Sequence, residues 1–485
     1  MSHALRLVWG ALSVDLNSGA SSVMLEYVPQ SPDISTIDTN SILQDGGERP
    51  LITRRNVTET ARILITGSSQ DDIQDEKQRI QRYFTRAERY QETKAGSPMY
   101  VHYTPHGVTT GSFRSEILTG KIDLFDRSLD WRWTNSKKSE MVLSWTRRYF
   151  WEGAEITASI YNRHTTGSIV RVYNTSTSTR DNFVDIDASV VTGEIPTPAT
   201  ILMQNPGGFT INFTRMFIAH NSISRPSAFD HWIEAEAGSA MSGITASVKS
   251  TTASLASDTG YVFFSTACNS QTQTAIARWL CSSTMMDSGR GGNISAIGIF
   301  WERHSASMYG QMKMMFPNTT GTQFLVAEGP EIELFSGSNQ EYIAKEFGVF
   351  KFPPNLQQLT GHDETVLQLY IRNGFSSTAC TNWDAIFLAP VDTGYRIISS
   401  QHGQNISASY YLVLDESNGN CYVSGSSNYL NNITRAQSLT GKPIMLQPYE
   451  DQRISFLHHY RVNTEYLPNN MLFITVKFRP RKLTI

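Results

Sequence analysis

Hydrophobic and polar residues alternate over short stretches along most of the chain, a period of two that is typical of β-strands with one buried face. Glycine, asparagine, serine and proline separate these stretches. The pattern predicts neighbouring strands over 121–133 and 140–153, and further strands over 168–174, 364–374 and 471–478. We therefore predict a mainly β protein, and the regular turn spacing favours sandwiches or jelly rolls over a parallel sheet.

One turn carries a specific sequence signal. Asn418-Gly419 lies between the strand-like stretches YYLVLDES and CYVSG. Asparagine followed by glycine favours a two-residue type I′ hairpin, because both residues tolerate a positive φ. The sequence therefore predicts a tight β-hairpin at this point.

One stretch, residues 68–91, has the period of an amphipathic helix instead. Its apolar residues recur at intervals of seven, four and three, which places them on one face: Ile73, Ile80, Phe84 and Ala87. Ser69 can cap the N-terminus, and Asp71 and Asp72 in the first turn favour the same start. We expect this helix to cover the sheet of an N-terminal β-sandwich or barrel, and not to serve as a partner site.

Composition and charge exclude several classes of function. The chain has 485 residues, of which 40% are hydrophobic and 18% charged, with a formal net charge of −3. This length accommodates two to four domains, and the near-neutral charge provides no field for a polyanion. No apolar stretch approaches the roughly 20 residues of a membrane helix. The N-terminal residues do not resemble a secretory signal, so we expect a protein of the cytoplasm or of a particle assembled there.

The acidic pair Glu234 and Glu236 is the most promising candidate for chemistry, because the common hydrolase, metalloprotease and nucleotide-binding motifs do not occur. On a strand, both side chains would lie on one face, roughly 6.5–7 Å apart at the backbone. Glycosidase carboxylates flank a sugar from two sides, whereas Ca²⁺ gathers several oxygen ligands at close range. A calcium site therefore fits better than catalysis, and a solvated strand edge without a ligand is the alternative. We predict that the protein is not an enzyme.

Residues 1–153 resemble the ring-forming N-terminal domain of the distal tail proteins of long-tailed bacteriophages. The likeness lies in the order of VTETARILITG, one helix, MYVHYTP and EILTGKIDLFDRSLDWRW, and in the Trp/Arg-rich closing strand MVLSWTRRYFWEG. Such proteins form rings, commonly hexamers, below the tail tube, and host-recognition parts attach to them. The resemblance implies a virion structural protein of the tail tip that is assembled in the host cytoplasm.

Residues from about 230 to 390 resemble the calcium-stabilised jelly-roll carbohydrate-binding modules. HWIEAEAG matches their opening strand, and CTNWDAIFLAP matches their final strand, which lies beside it. The resemblance implies a structural calcium held by Glu234 or Glu236 together with Asp384. It also implies three candidates for stacking on a sugar ring, although aromatic side chains are more often core residues: Trp383, Trp301 and Tyr309.

These observations predict three domains: a ring-forming domain over 1–153, a β-sandwich over 154–228 plus 391–485, and a jelly roll over 229–390. The predicted partners are copies of the same chain in a hexameric ring, the tail tube protein, and hub and peripheral fibre proteins. The alternative function is a carbohydrate-binding protein that contacts host-surface glycans through the jelly roll; a glycan hydrolase is a third and less favoured hypothesis. We expect no required cofactor beyond a possible structural calcium, no membrane partner and no direct contact with nucleic acid.

Overall fold

The computed structural model confirms a mainly β chain with one α-helix, built from several antiparallel sheets. The structure describes residues 4–19, 21–37, 51–107, 111–125, 138–174, 180–207, 210–213, 215–222, 232–242, 244–250, 260–267, 273–281, 293–301, 308–317, 323–335, 342–351, 365–373, 378–400, 405–425, 433–459 and 471–485. The chain divides into two compact units. The N-terminal unit comprises Met1–Ile156, Thr192–Ile195 and Arg479–Ile485, and the second unit comprises Thr157–Val191 and Pro196–Phe478.

The N-terminal unit is built on one nine-stranded sheet. From one edge to the other, its main path runs through Leu12–Asp15, Ala4–Trp9, Met99–Thr104, Phe113–Phe125, Lys138–Arg147, Val57–Thr66 and Ser22–Tyr27. Trp151–Glu152 pairs with Phe113–Phe125 and with Arg481–Lys482. A separate two-stranded sheet joins Ile34–Ile37 to Leu51–Arg54. Residues 479–485, which the sequence analysis assigned to the β-sandwich, therefore belong to the N-terminal unit. The pairing of Arg481–Lys482 with Trp151–Glu152, which the sequence pattern does not reveal, places them there.

The predicted helix is confirmed as Gln70–Thr93. Ser69 and Asp72 form a capping box, in which the Ser69 side chain accepts the backbone N–H of Asp72. The helix buries its predicted apolar face together with Tyr83, in a core shared with the alternating buried residues of Val57–Thr66. Gly120 allows this packing, because a Cβ there would lie 2.2 Å from the Phe84 ring.

The second unit contains a β-sandwich made of strands from two separate parts of the sequence. One sheet runs through Thr166–Gly167, Ile160–Tyr161, Phe183–Ile186, Gln452–His459, Arg215–Ser222, Tyr395–Ser399 and Ser438–Lys442. The other runs through Met471–Phe478, Thr200–Gln204, Tyr411–Asp415, Asn420–Ser424 and Ile433–Ala436, with Val170–Tyr173 beside Met471–Phe478. Ile156–Thr157 lies at the edge of this second sheet, beside Met471–Phe478. Two short strand pairs are separate from both sheets: Thr197–Pro198 with Met445–Leu446, and Ile211–Asn212 with Asn405–Ile406.

The jelly roll occupies the stretch between the two parts of the sandwich and consists of two six-stranded sheets. The first runs through Thr245–Ser250, Gly260–Ala267, Thr378–Pro390, Asn293–Trp301 and Tyr342–Lys351, with Trp232–Glu234 beside Thr378–Pro390. The second runs through Ser239–Ala240, Thr274–Cys281, Thr365–Asn373, Met308–Pro317 and Gln323–Glu328, with Ile332–Phe335 beside Met308–Pro317.

The first jelly-roll sheet is buried on both faces. Trp383, Ile386 and Leu388 point into the jelly-roll core, whereas Ala385 and Phe387 belong to the core of the β-sandwich. The jelly roll and the sandwich therefore share hydrophobic contacts, which explains why they form a single compact unit.

The hairpin predicted at Asn418-Gly419 forms, but the prediction of a two-residue type I′ turn is wrong. Asp415 pairs with Asn420, so the loop has four residues, 416–419, and only Gly419 has a positive φ, of 64°. The Asp415 carboxylate accepts hydrogen bonds from the backbone N–H of Ser417 at 3.0 Å and from Nδ2 of Asn418 at 2.7 Å. These hydrogen bonds satisfy polar groups of the loop and stabilise a four-residue loop, which is longer than the Asn-Gly pair predicts.

Candidate functional site

The opening and final strands predicted for the jelly roll lie side by side. Trp232 pairs with Phe387 and Glu234 with Ala385 in an antiparallel register. The opening strand ends at Glu234, and a single 3₁₀ turn, Ala235–Ala237, follows it. Trp279 holds this turn, because its Nε1 donates a hydrogen bond to the carbonyl of Ala235 at 3.1 Å.

This turn overturns the prediction that Glu234 and Glu236 share one face of a strand. Glu234 is half-buried, and its Oε1 accepts a hydrogen bond from Nε1 of Trp232 at 2.9 Å, while Glu236 lies in the turn. Asp384 is buried in the neighbouring strand, where the pairing with Asn293–Trp301 shifts register around it. Its position in a bulge depends on tertiary pairing, which the sequence motif does not reveal.

A group of three or more His, Cys, Asp or Glu side chains placed to hold a metal ion does not occur among the described residues. Glu234 pairs with Ala385, which follows Asp384 in the neighbouring strand. The three acids Glu234, Glu236 and Asp384 nevertheless do not form such a group. The structural calcium therefore stays a prediction, with Asp384 and either Glu234 or Glu236 as its ligands.

The three aromatic candidates have different surroundings. Trp383 is 0% exposed, and its ring packs 5.6 Å from that of Trp279 and 5.8 Å from that of Phe347. A ring in this position offers no face to a sugar, so Trp383 acts here as a core residue. Trp301 ends a strand of the first sheet, but its side chain lies outside the described part of the chain. Tyr309 is half-buried on the outer side of the second sheet.

Tyr309 belongs to a polar face that the sequence did not single out. Three cross-strand pairs of the second jelly-roll sheet form it, and we call it the tyrosine face: Tyr309 and Arg372, Gln311 and Tyr370, Lys313 and Gln368. The intervening residues Leu367, Leu369, Met312 and Met314 are buried in the core, so the six alternate residues lie on the opposite side. The alternation in TVLQLYIRN, predicted as a strand, was the signal that could have located Tyr370 and Arg372.

Cations and hydrogen bonds orient both tyrosines. The Arg372 guanidinium lies 4.5 Å from the ring centre of Tyr309, and Nζ of Lys313 lies 4.6 Å from that of Tyr370. The hydroxyl of Tyr370 donates a hydrogen bond to Gln368 at 3.0 Å. Gln368 is itself only 1% exposed, and Nε2 of Gln311 donates a hydrogen bond to the carbonyl of Gly329 at 2.8 Å, so both amides bond within the protein. The face therefore presents mainly the half-buried rings and the two cations beside them.

The charges of the tyrosine face are balanced by acids at its rim. Arg372 donates two hydrogen bonds to Glu331, at 2.9 and 2.8 Å, and Lys313 lies 3.3 Å from Glu328. The bonds from Arg372 lower the pKa of Glu331 to about 2. The face therefore carries little net charge, which suits a neutral polar ligand better than an ion.

Two of the four cysteines, Cys281 and Cys421, are described with their side chains, and both are buried free thiols. Burial raises the pKa of Cys281 to about 12, which keeps the thiol protonated and unreactive. Cys268 and the side chain of Cys380 lie outside the described residues. Within the described ranges, the helix is too polar to cross a membrane.

Protein-family models give no match to this chain, and neither do curated proteins. Among solved structures, the SPP1 Dit protein, described as a hub adsorption paradigm in phages that infect Gram-positive bacteria, is similar over 79% of this chain and 98% of its own, with 8% identity and a TM-score of 0.25. The baseplate of phage p2 is similar over 79% and 98%, with 7% identity and a TM-score of 0.24. The CBM22-1 xylan-binding domain of Paenibacillus barcinonensis Xyn10C is similar over 33% and 92%, with 10% identity and a TM-score of 0.23. These likenesses are too distant to assign a family.

Proposed function

We propose that this chain is a structural protein of a phage tail tip, which forms a ring that joins the tail tube to hub and peripheral fibre proteins. The observation that carries the proposal is the order of elements in the N-terminal unit. Val57–Thr66, one helix, Met99–Thr104 and the paired strands Phe113–Phe125 and Lys138–Arg147 follow one another as the resemblance to distal tail proteins implies.

The two edges of the N-terminal sheet supply surfaces for a ring. In a ring, each copy contacts the next through two different patches, and the contact closes on itself. The edge strands Leu12–Asp15 and Ser22–Tyr27 lie at opposite ends of the sheet path, and each carries an exposed leucine: Leu12 is 50% and Leu25 49% exposed. Exposed edge strands with apolar side chains readily pair with another chain.

Substitution of these leucines tests the ring directly. Lysine is an effective blocker of edge pairing, so Leu12→Lys and Leu25→Lys should each convert the assembly into monomers without unfolding the sheet. Mass photometry of the purified protein measures the outcome. Leu325→Lys is the matched control, because Leu325 is 52% exposed on a jelly-roll strand. Assemblies that survive both edge substitutions would rule out this contact.

The remaining parts of the proposal concern partners and chemistry. We infer that the ring is a hexamer in the virion tail tip, assembled in the host cytoplasm, without membrane or nucleic-acid partners. We also infer a role without catalysis, because the common hydrolase, metalloprotease and nucleotide-binding motifs do not occur in the sequence and the two described thiols, Cys281 and Cys421, are buried. Cleavage of host polysaccharide that is lost on Glu234→Gln or Glu236→Gln would contradict this part.

A second function, recognition of host-surface glycans, is favoured by the tyrosine face. Its half-buried tyrosine rings, with the charges of Arg372 and Lys313 matched by acids, provide an apolar surface of little net charge, of the kind on which a sugar ring stacks. A glycan array with wild-type protein and with Tyr309→Ala and Tyr370→Ala tests it. We expect binding that both substitutions abolish and that Tyr410→Ala, on the sandwich, leaves intact. Binding that survives both would exclude this face.

A further inference from the structure

Charged residues line up across six strands of the N-terminal sheet. In successive antiparallel pairs, each residue lies directly opposite the next. We call this set the charge row: Asp15, Arg6, His102, Arg114, Glu152 and Arg481. Residues opposite one another in adjacent strands are close enough for their charges to interact.

The acids of the charge row are already bound to arginines. At one end, Nε of Arg6 donates a hydrogen bond to Asp15 at 3.1 Å. At the other end, Glu152 accepts hydrogen bonds from Arg114 at 3.2 and 3.1 Å and from Arg481 at 3.2 and 2.9 Å. His102 lies between the two ends, with an arginine opposite it on each side and no acid opposite it.

A cleft of about 430 Å³ opens beside His102. The cleft is lined by residues on or next to three strands of the sheet and by one residue near the C-terminus: His102, Gly111, Ser112, Arg114, Gly153, Ala154, Glu155 and Arg479. Arg479 brings a second guanidinium group, which donates a hydrogen bond to the carbonyl of Gly153 at 3.1 Å and lies 3.8 Å from Glu155. The cleft therefore combines two guanidinium groups and an imidazole, with Glu155 as the acid in its lining.

The surroundings of His102 are electropositive. Burial, followed by the charges of Arg114, Arg479 and Arg6, lowers the pKa of His102 to about 4, so the imidazole is neutral at pH 7. The ring of Tyr100 is the nearby aromatic group, 6.3 Å from the His102 ring and 4.3 Å from the Arg114 guanidinium. A negative charge placed in the cleft would be attracted to the arginines and would favour protonation of His102.

We propose that this cleft binds a carboxylate group between His102, Arg114 and Arg479. A carboxylate matches the planar guanidinium groups and carries one negative charge. Glu155 lines the cleft and Glu152 is bound to Arg114, so these acids would repel a doubly charged anion more strongly than a single carboxylate. The site does not depend on ring formation, because its residues all belong to one copy of the N-terminal unit.

The binding test uses the full chain with ¹³C-labelled histidine and two capped peptides, acetyl-Ala-Glu-Ala-amide and its Gln counterpart. The Glu peptide should shift the His102 imidazole signals and raise the pKa of His102. Because the bound carboxylate prefers the imidazolium, the affinity should rise about fivefold between pH 7 and pH 5. The Gln peptide should not bind. Inorganic phosphate forms a third arm and should bind more weakly than the Glu peptide.

Two variants test whether His102 binds the carboxylate through its protonated form or only supports the structure of the cleft. His102→Gln keeps a polar side chain but cannot be protonated, so the peptide affinity should become almost independent of pH. His106→Gln, on the exposed turn four residues later, should keep the wild-type pH dependence. The proposal is wrong if the Glu peptide leaves the His102 signals unchanged, if phosphate binds more tightly than the peptide, or if His102→Gln retains the pH dependence.

Discussion

The charge row of the N-terminal unit and the tyrosine face of the jelly roll are both built from residues that face one another across antiparallel strands, yet they differ in how their charges are matched. On the tyrosine face, Arg372 is bound to Glu331 and Lys313 lies beside Glu328. In the charge row, Arg6 is bound to Asp15 and two arginines share Glu152, so three arginines share two acids, and the central His102 has arginines on both sides.

This difference indicates which ligand each surface can accept. A face whose cations are each paired with an acid offers half-buried rings of little net charge, which would suit a neutral sugar. A row in which three arginines share two acids beside a neutral imidazole has one positive charge in excess, which a bound carboxylate would balance. We therefore infer that cross-strand charge matching, on the same sheet geometry, would decide which of the two proposed ligands each surface accepts.

The largest expected effect comes from the acid that joins two arginines of the charge row. Glu152 is nearly buried and binds both Arg114 and Arg481, so Glu152→Gln leaves two guanidinium groups without their partner. We expect a loss of about 2–3 kcal/mol in the stability of the N-terminal unit. Urea unfolding followed by the methyl NMR signal of Met99, in the core of this unit, measures it.

The matched variant on the tyrosine face is Glu331→Gln. The Glu331 and Arg372 side chains are 30% and 26% exposed, and water screens the pair, so the expected loss is at most about 1 kcal/mol. Met312, in the jelly-roll core, is the probe. An equal loss in both variants would show that the two surfaces do not differ in how much each depends on its acid.

The next effect is a pH dependence of the N-terminal unit. The pKa of His102 is about 4 in the folded chain, against about 6.5 in an unfolded one. The unfolded chain therefore takes up the proton first, and this contribution to stability is complete above pH 6.5 and is lost as the pH falls toward 4. Because His102 is partly exposed, we expect a loss of about 1–2 kcal/mol between pH 7 and pH 4.5.

His102→Gln should remove that loss from the N-terminal unit. The buried His220 and His458, whose pKa values are also lowered by burial, should keep the acid sensitivity of the second unit unchanged. Urea midpoints of the two units at pH 7 and pH 4.5 report both effects. An N-terminal unit that remains equally acid-sensitive in the variant would mean that His102 does not set its pH dependence.

The smallest effect concerns calcium in the jelly roll. An ion held by Asp384 and Glu234 would raise the unfolding midpoint of the second unit, by about 2 °C at saturating calcium. Calorimetry in calcium and in EDTA measures the shift, and Asp384→Asn should abolish it. Identical unfolding midpoints in the two buffers would show that the jelly roll binds no stabilising calcium ion.

Local signals in the sequence predicted the elements that local interactions stabilise. Ser69 and Asp72 cap the helix through bonds within four residues, and the period of two predicted strands such as Met471–Phe478. The mainly β fold followed from the same period. These features depend on neighbours along the chain, which a single sequence displays.

The sites depend on long-range register, which the sequence does not display. His102 and Arg114 are opposite each other only because their strands pair in one register, and Glu152 meets Arg481 from more than three hundred residues away. Similarly, Trp279 closes a turn at Ala235 that ends the predicted strand before Glu236. Tyr309 could be named from its sequence, whereas its companions Tyr370 and Arg372 required the sheet.

The central claim, that the chain builds a ring at a tail tip, is tested most directly by negative-stain electron microscopy of the purified wild-type protein. The account predicts closed rings around a central hole, with six copies in each ring. A strictly monomeric protein at the micromolar concentrations used for assembly, with an intact N-terminal unit, would contradict it.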